Sequence, residues 1–405
     1  MFKNISWTFG SNLIVSLLKW LVVVIIAKIL TPEDVGAYSL AFAISAPITL
    51  FANMKLRSLF ITEDSKDQFN DFLRARDLLS ILSFFVLVLI SVIFYQEYFY
   101  LIVVVSLMKI FDLQSDMYYA LPHRESEMTY IGKLIILKNL VLFIPFLISI
   151  LLMKSLLLSL AVQLIAQIVF FYMIEKKRIS KDYNIIYCKP IISNVRNIIY
   201  LGIPLGVVQM LFSLNASYPR FLLEYYESLK VLGYFSAIAY ILTIGNMMLS
   251  AISQTFLPIL SNKIKKKDYL SFRRILYLHL GLTSIGLGVS FFVLLYYFGS
   301  PLLGAIYGRE YAAYIDILLL LSVALAINML SWNFDTALLA MRYISVQPKL
   351  SIIVLIINLI LGYLLISTYG IHGATYTIII TNSVQLILRM IFVEIKYSYL
   401  IKQIK

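Results

Sequence analysis

The sequence predicts an all-α, polytopic membrane protein with about twelve transmembrane helices in two pseudo-symmetric six-helix bundles around a central cavity. Apolar residues make up 61% of the 405 residues and charged residues only 14%, a balance outside the range of soluble domains. The mean hydropathy of +0.89 indicates that the solvent is lipid. Apolar runs of about 20 residues, long enough to cross about 30 Å of hydrocarbon, recur along the chain with short polar breaks.

These apolar runs give the predicted spans in order. They are placed near residues 9–30, 36–55, 78–95, 98–120, 130–152, 155–174, 198–216, 232–257, 275–298, 313–340, 350–368 and 372–395. The shortest breaks are Gln96-Glu97 and Lys154. The first run is too long for a signal-peptide core and leads into Thr31-Pro32-Glu33-Asp34 instead of a small-residue cleavage site, so we expect it to remain as a helix.

An internal repeat favours two like-oriented bundles, residues 1–184 and 185–405. Val35–Ile44 resembles Leu232–Ile241, since each combines glycine with aromatic residues, serine and alanine at the start of a span. The segments lie six spans apart, nearly half the chain, as expected for a duplicated bundle. The alternative is that such helix starts are simply common in membrane proteins.

The charge distribution predicts the orientation. Most lysines and arginines fall in alternate loops, whereas the opposite loops hold Lys154, Arg220, Lys230 and Arg309. This asymmetry predicts that both termini lie in the cytoplasm. We expect a multi-pass protein of the bacterial plasma (inner) membrane. The net charge of +13 is explained by these loops, so we expect no nucleic acid partner.

Several chemistries find no support in the sequence. A single cysteine, Cys188, cannot form an internal disulfide, and His123, His279 and His372 are too scattered for a metal site. A phosphate loop of the G-x-x-x-x-G-K-[ST] type is absent, so we expect no ATP hydrolysis by the chain itself and no cofactor.

Ionisable residues inside the predicted spans are the candidate functional residues. They are Lys19, Lys109, Asp112, Asp116, Lys138, Asp335 and Arg389. Because a charge at mid-bilayer costs about 2.5 to 3.5 kcal/mol, these groups are expected to face protein or water. On the fourth span, Ser106, Lys109, Asp112 and Asp116 recur at three- and four-residue steps and form one polar stripe. Buried structural ion pairs, such as Lys109 with Asp112, are the alternative.

The depth of these residues predicts a charged vestibule open to the cytoplasm, suited to an anionic headgroup. The candidate substrate-binding residues are Lys19, Lys28, Lys109, Lys138, Arg220 and Arg389. A carboxylate in low dielectric titrates at raised pH unless it is paired, so Asp112, Asp116 and Asp335 are candidates for coupling to H⁺ or Na⁺.

Several segments resemble one known family. Ala27–Leu40, Ala46-Pro47 and Asn53–Arg57 are similar in order and spacing to the run LLGPEDxGxYxLAxAIxAP…NLxLR, although Thr31 stands where the family often has glycine. Asp112–Met128 and Tyr369–Ala374 add support. The family is that of the polysaccharide, or lipid-linked oligosaccharide, flippases of the multidrug/oligosaccharidyl-lipid/polysaccharide (MOP) exporter superfamily, and the resemblance covers nearly the whole chain.

The resemblance implies a MATE-like fold. It further implies translocation of an undecaprenyl-pyrophosphate-linked repeat unit of O-antigen or capsular polysaccharide, by alternating access. It also implies that other polysaccharide assembly proteins are possible partners. Lys138 stands where the family commonly has arginine, and Arg57 matches its Leu-Arg pair.

Two other functions compete with this one. Export of drugs or cations occurs in related members of the superfamily, although the partly cationic stripe disfavours a pocket for cationic drugs. A membrane glycosyltransferase or polymerase would need a sizeable extramembrane loop, and the longest predicted loop, Glu175–Asn197, has no paired-carboxylate motif. We therefore expect a transporter rather than an enzyme.

Overall fold

The structure is a computed structural model that describes residues 2–62 and 69–402. These residues are helical nearly throughout and include no strand. Within them, ten helices are long and apolar enough to cross a membrane. The predicted all-α membrane fold is therefore confirmed.

The helices of the first half begin near the N-terminus and alternate long spans with short connecting helices. Their bounds are α1 Phe2–Ile29, α2 Pro32–Asn53, α3 Leu56–Ile61, α4 Phe69–Phe94, α5 Phe99–Tyr118, α6 Ala120–Arg124, α7 Met128–Met153, α8 Leu156–Phe170 and α9 Lys177–Asp182. A π-helical segment, Phe171–Lys176, joins α8 to α9.

The second half has the same mixture of long and short helices. Their bounds are α10 Ile192–Tyr226, α11 Leu229–Ile241, α12 Thr243–Lys265, α13 Tyr269–Arg274, α14 Gly281–Ile306, α15 Arg309–Ala312, α16 Ile315–Ala340 and α17 Gln347–Lys402. The residues Ile275–Leu280 between α13 and α14 form a second π-helical segment.

The twelve predicted spans and the ten long helices agree once two features are considered. Helix α17 is interrupted at Gly370, whose φ of 53° and ψ of −126° are not helical, so it carries both of the last two predicted spans. The predicted span 232–257 is divided at Leu242 between α11 and α12. Every predicted span thus lies on helix.

The chain divides into two compact units, Met1–Ser217 and Tyr218–Lys405. In the first unit, an apolar cluster that includes Phe60, Phe72 and Ile179 packs at one end of the helices. In the second unit, a comparable cluster includes Phe272 and Leu338.

Both copies of the predicted repeat begin with the same kind of cap. The side chain of Thr31 accepts a hydrogen bond from the Asp34 amide before α2, and Ser228 accepts one from the Val231 amide before α11. Such caps satisfy amides that have no partner within the helix. Gly36 and Gly233 are both buried in the turns that follow.

The two shortest predicted breaks are confirmed. Gln96–Tyr98 forms a single 3₁₀ turn between α4 and α5. Lys154 adopts a left-handed conformation with φ of 47°, and Ser155 then caps α8. A three-residue turn and a single left-handed residue are therefore enough to separate these helices.

Two predicted loops are wrong in extent. The loop predicted to begin at Glu175 is helical as far as Asp182, and α10 runs on to Tyr226, so Arg220 lies on a helix and not in a loop. The helix continues beyond the uninterrupted apolar run because buried residues recur at helical spacing. Ile179, for example, is buried four residues after the buried Glu175. A search for uninterrupted runs stops too early at such positions.

Arg76 precedes the predicted span 78–95, but it lies on α4 and is fully buried. Its Nη1 donates to the carbonyl of Ala52 at 2.8 Å, and its Nη2 donates to the carbonyl of Asn53 at 3.1 Å. These carbonyls end α2 and have no helical partner. The buried guanidinium therefore fixes the turn that leads to Arg57.

We expect Gly370→Ala to destabilise the protein, because an L-residue in this conformation carries strain of about 1 to 3 kcal/mol. A Cβ at this position would also lie 1.9 Å from Glu227 Oε1. The thermal unfolding midpoint of the purified protein in detergent measures the effect.

The matched control is Gly286→Ala in α14, where a Cβ has nothing within 4 Å. Its midpoint should stay level or rise. Equal losses in the two variants would contradict a special role for Gly370.

Candidate functional site

The charged residues of the first unit meet around α5. Of the predicted stripe, Ser106 is buried and donates to the carbonyl of Ile102 at 2.6 Å. Lys109 and Asp116 are partly buried, and Asp112 is exposed. The predicted stripe is therefore present on one face of the helix, and its most exposed member is Asp112.

Lys138 on α7 lies at the centre of this cluster. The residue is only 6% exposed. Its Nζ lies 3.0 Å from Asp112 Oδ1 and donates to Ser115 Oγ at 2.9 Å. Glu175 Oε1 lies 4.0 Å from the same Nζ. A buried ammonium with two carboxylates and a hydroxyl around it has the partners that it needs in low dielectric.

Glu175 is the member that sequence reasoning missed. It lies in the π-helical segment after α8 and is 0% exposed. Ser115 Oγ donates to its Oε2 at 2.5 Å, and the Tyr119 hydroxyl donates to its Oε1. The sequence pattern that could have revealed the burial of Glu175 is its four-residue spacing from Phe171 and Ile179. All three residues are buried on one helical face.

Asp112 is the accessible member of the cluster. Its Oδ1 accepts from Gln167 Nε2 at 2.9 Å as well as from Lys138. Half of its side-chain surface, 50%, remains exposed. A carboxylate on a membrane helix is unfavourable against acyl chains, so this exposed part is expected to contact water.

Two further cations approach the exposed side of the cluster. Lys109 places its Nζ 4.7 Å from the centroid of the Phe42 ring. Lys19 is exposed on α1 and interacts electrostatically with both Lys109 and Asp112. We define Lys19, Lys109, Asp112, Lys138 and Glu175 as the α5 charge cluster.

Asp116 is paired separately from the α5 charge cluster. Its Oδ1 lies 3.3 Å from Arg57 Nη1, and Arg57 Nε donates to His123 Nδ1 at 3.1 Å. The ion pair joins α3 to the end of α5, and the hydrogen bond to His123 joins α3 to α6. It also gives a structural partner to the arginine of the Leu-Arg motif.

A buried ion pair of the same kind lies in the second unit. Arg389 on α17 is 7% exposed, and its Nη2 lies 3.1 Å from Asp335 Oδ1 on α16. Its Nη1 donates to Ser331 Oγ at 2.8 Å. Gln347 Nε2 also donates to Asp335, at 3.3 Å. Here too, a buried cation is joined to a carboxylate that is less buried.

Two predicted binding residues join neither group. Lys28 is exposed in the last turn of α1. Arg220 is partly buried on α10 and interacts electrostatically with Tyr240. Both remain predictions.

Among residues 2–62 and 69–402, no group of three or more His, Cys, Asp or Glu side chains is placed to hold a metal ion. The site chemistry of the described chain therefore consists of ammonium, guanidinium, carboxylate and hydroxyl groups. Such groups can bind anions, exchange ion-pair partners and take up or release protons.

The sequence comparisons identify the family. A family model described as "Polysaccharide biosynthesis protein" matches residues 1–263. The capsular polysaccharide biosynthesis protein CapF of Staphylococcus aureus is 32% identical over 388 residues, which cover 96% of this chain and 98% of CapF. The chain belongs to the polysaccharide biosynthesis protein family. The resemblance found in the sequence is thus confirmed.

Solved structures show the fold of this polysaccharide biosynthesis protein. An inward-facing multidrug resistance MATE family transporter of the MOP superfamily matches with a TM-score of 0.79 at 12% identity, covering 96% of both chains. The lipid II flippase MurJ in an inward closed conformation matches with a TM-score of 0.78 at 15% identity, covering 97% of this chain and 89% of MurJ. At these identities the likeness shows the fold alone, which is that of the MOP superfamily.

We expect Lys138→Met to destabilise this member of the family by about 3 to 5 kcal/mol, because it leaves the buried Glu175 carboxylate without a cation. Adding Glu175→Gln should restore part of that loss, since the uncompensated charge is then removed. Thermal unfolding of the single and double variants in detergent measures both steps.

The control is Lys189→Met, which removes an exposed lysine outside the α5 charge cluster. It should leave the unfolding midpoint nearly unchanged. If the losses from Lys138→Met and Glu175→Gln simply added, the proposed coupling between these residues would be wrong.

Proposed function

We propose that this chain is a flippase that moves an undecaprenyl-pyrophosphate-linked oligosaccharide, a repeat unit of capsule or O-antigen, across the bacterial plasma membrane. The α5 charge cluster is the observation that carries the proposal. It combines cations, an accessible carboxylate and a buried carboxylate on helices long enough to cross a membrane. Membership of the polysaccharide biosynthesis protein family supports the class of substrate.

The proposed ligand group is the pyrophosphate of the lipid carrier. Lys109 and Lys19 are the first candidates to bind it, because they lie on the accessible side and their charges are not held in a carboxylate hydrogen bond. Ammonium groups bind phosphate oxygens as point charges without a fixed geometry. This suits a ligand that has to be released after transport.

Lys138 is proposed to join the ligand only when Asp112 gives it up. Protonation of Asp112, or its binding of a Na⁺ ion, would weaken its bond to the Lys138 ammonium. The ammonium would then be able to pair with phosphate, while Glu175 keeps it partly neutralised. Anion binding and ion uptake are coupled in this scheme because each is favoured when the salt bridge between Lys138 and Asp112 is broken.

Arg389 and Asp335 are proposed to act in the same way in the second unit. The buried guanidinium is the candidate phosphate group, and the more accessible carboxylate is the candidate ion site. Asp116 is a weaker candidate for coupling, because Arg57 already holds it in an ion pair. We propose alternating access as the transport cycle, with both termini in the cytoplasm and no enzymatic step.

We expect Lys138→Ala and Arg389→Ala each to reduce transport about tenfold or more, because a lost charge-assisted hydrogen bond is worth about 1.5 to 3 kcal/mol. Transport of a fluorescently labelled, lipid-linked oligosaccharide is measured in proteoliposomes. Lys189→Ala should transport at the parental rate.

The same proteoliposomes distinguish flipping from drug export. Preloaded cationic dye should not leave through the protein. Dye efflux without oligosaccharide flipping would contradict the proposal and favour a multidrug or cation exporter. Unchanged flipping by both cation variants would remove Lys138 and Arg389 from the proposed site.

A coupling role for Asp112 makes a separate prediction. Asp112→Asn cannot exchange a proton at this position, so the response of flipping to an imposed pH or Na⁺ gradient should weaken, with Asp335 as the remaining candidate ion site. Transport along the substrate gradient alone should continue. The response of the flipping rate to each gradient is the measurement, and a full response in the variant would exclude Asp112 as the coupling group.

A further inference from the structure

A cavity of about 680 Å³ lies between α4 and α5, on a different side of α5 from the charge cluster. On α5, its lining includes Leu107, Phe111, Gln114 and Tyr118, which recur at three- and four-residue steps. At 100° per residue, this stripe lies roughly opposite the stripe that contains Asp112. The cavity is therefore a separate site from the one proposed to bind the pyrophosphate.

One end of the cavity is polar and carries a net positive charge. Arg74 and Lys176 line it together with one carboxylate, Asp77. Asp77 accepts a hydrogen bond from Gln114 Nε2 at 3.0 Å. Lys176 Nζ lies 5.7 Å from the centroid of the Tyr187 ring, at the edge of the cavity. This end therefore has the charge and the donors to bind one anionic group.

The other end of the cavity is apolar. It is lined by Ile81 and Phe84 from α4 and by Leu107 and Ile110 from α5. The adjacent α4 residue Leu82 is 56% exposed, as expected for a helix that faces acyl chains. The apolar end thus opens towards the bilayer, and the polar end lies towards Tyr187 and Pro190.

Ser80 lies between the two ends and provides an independent indication of a ligand. It lines the cavity, is only 2% exposed, and its Oγ has no hydrogen-bond partner. A buried hydroxyl without a partner is unfavourable by about 1 to 3 kcal/mol. Ser80 follows Arg74 by six positions on α4, a rise of about 9 Å along the helix axis. One ligand with polar groups at two depths would therefore reach both side chains.

We propose that this cavity binds an anionic glycerophospholipid of the surrounding bilayer. Its headgroup phosphate pairs with Arg74 and Lys176, its glycerol ester oxygens accept from Ser80, and its acyl chains pack along Ile81 and Leu107. The order of polar, ester and apolar groups in such a lipid matches the order of side chains along the cavity. Bound there, the lipid joins α4 and α5 and so supports the helix that carries Asp112.

Native mass spectrometry of the full chain in detergent tests the proposal. Phosphatidylglycerol and phosphatidylcholine with identical acyl chains are titrated separately. Phosphatidylglycerol should bind at least about tenfold more tightly, because its headgroup has no cation to repel Arg74 and Lys176. Equal binding of the two lipids would overturn the proposal, as would displacement of bound phosphatidylglycerol by millimolar inorganic phosphate, which would point to a site for free phosphate.

Two variants locate the binding. Arg74→Gln combined with Lys176→Gln should weaken phosphatidylglycerol binding about tenfold, whereas the matched control, Arg196→Gln with Lys177→Gln, removes exposed charges outside the cavity and should not. Unchanged binding in the cavity variant would place the lipid elsewhere and refute the assignment.

Leu107→Trp keeps both cations and fills the apolar end, so it tests the site even where the charge variant folds poorly. It should weaken binding of phosphatidylglycerol several-fold. Ile144→Trp, at an exposed apolar position of α7, is its control and should bind normally. Equal lipid binding by these two tryptophan variants would contradict the proposal.

Discussion

The salt bridge between Lys138 and Asp112 is the interaction on which the candidate site depends. An ammonium that is 6% exposed on a membrane helix requires compensating negative charge, and Asp112 and Glu175 supply it. The two carboxylates differ in environment, because Glu175 is fully buried and Asp112 is half exposed. In the proposed function, Glu175 therefore holds the ammonium in the protein, and Asp112 is the carboxylate that responds to ions and ligands.

The second unit repeats the principle with different residues. Arg389 is buried against Asp335, and the carboxylate is again the more accessible partner. In the proposed transport cycle, a cation that is released from its carboxylate becomes a binding group for the diphosphate of the lipid carrier. The cavity proposed to bind a lipid lies between α4 and α5, apart from these ion pairs, so the two proposals can be tested separately.

Much of the fold was predictable because hydrocarbon imposes a simple rule of length and polarity on helices. The turns at Gln96 and Lys154 and the stripe on α5 followed from that rule. The partners of the charges did not follow, because spacing along one helix does not identify the neighbouring helix. The spacing along α5 offers Lys109 as an alternative ion-pair partner for Asp112, whereas Asp112 is hydrogen-bonded to Lys138 on α7. Glu175 and Arg76 both lie outside the predicted spans, since a charge normally ends an apolar run, yet both are buried within helices.

The most direct test of the account is whether the exposed side of Asp112 contacts water. Asp112→Cys, in a Cys188→Ser background that removes the exposed native thiol, is treated with a charged, membrane-impermeant thiol reagent in open membranes. Ile148→Cys, an exposed apolar position on α7, is the comparison. The account predicts rapid labelling at position 112 and little at position 148. Protection of both positions to the same degree would mean that Asp112 faces lipid or a dry core, and the proposed transport site would be wrong.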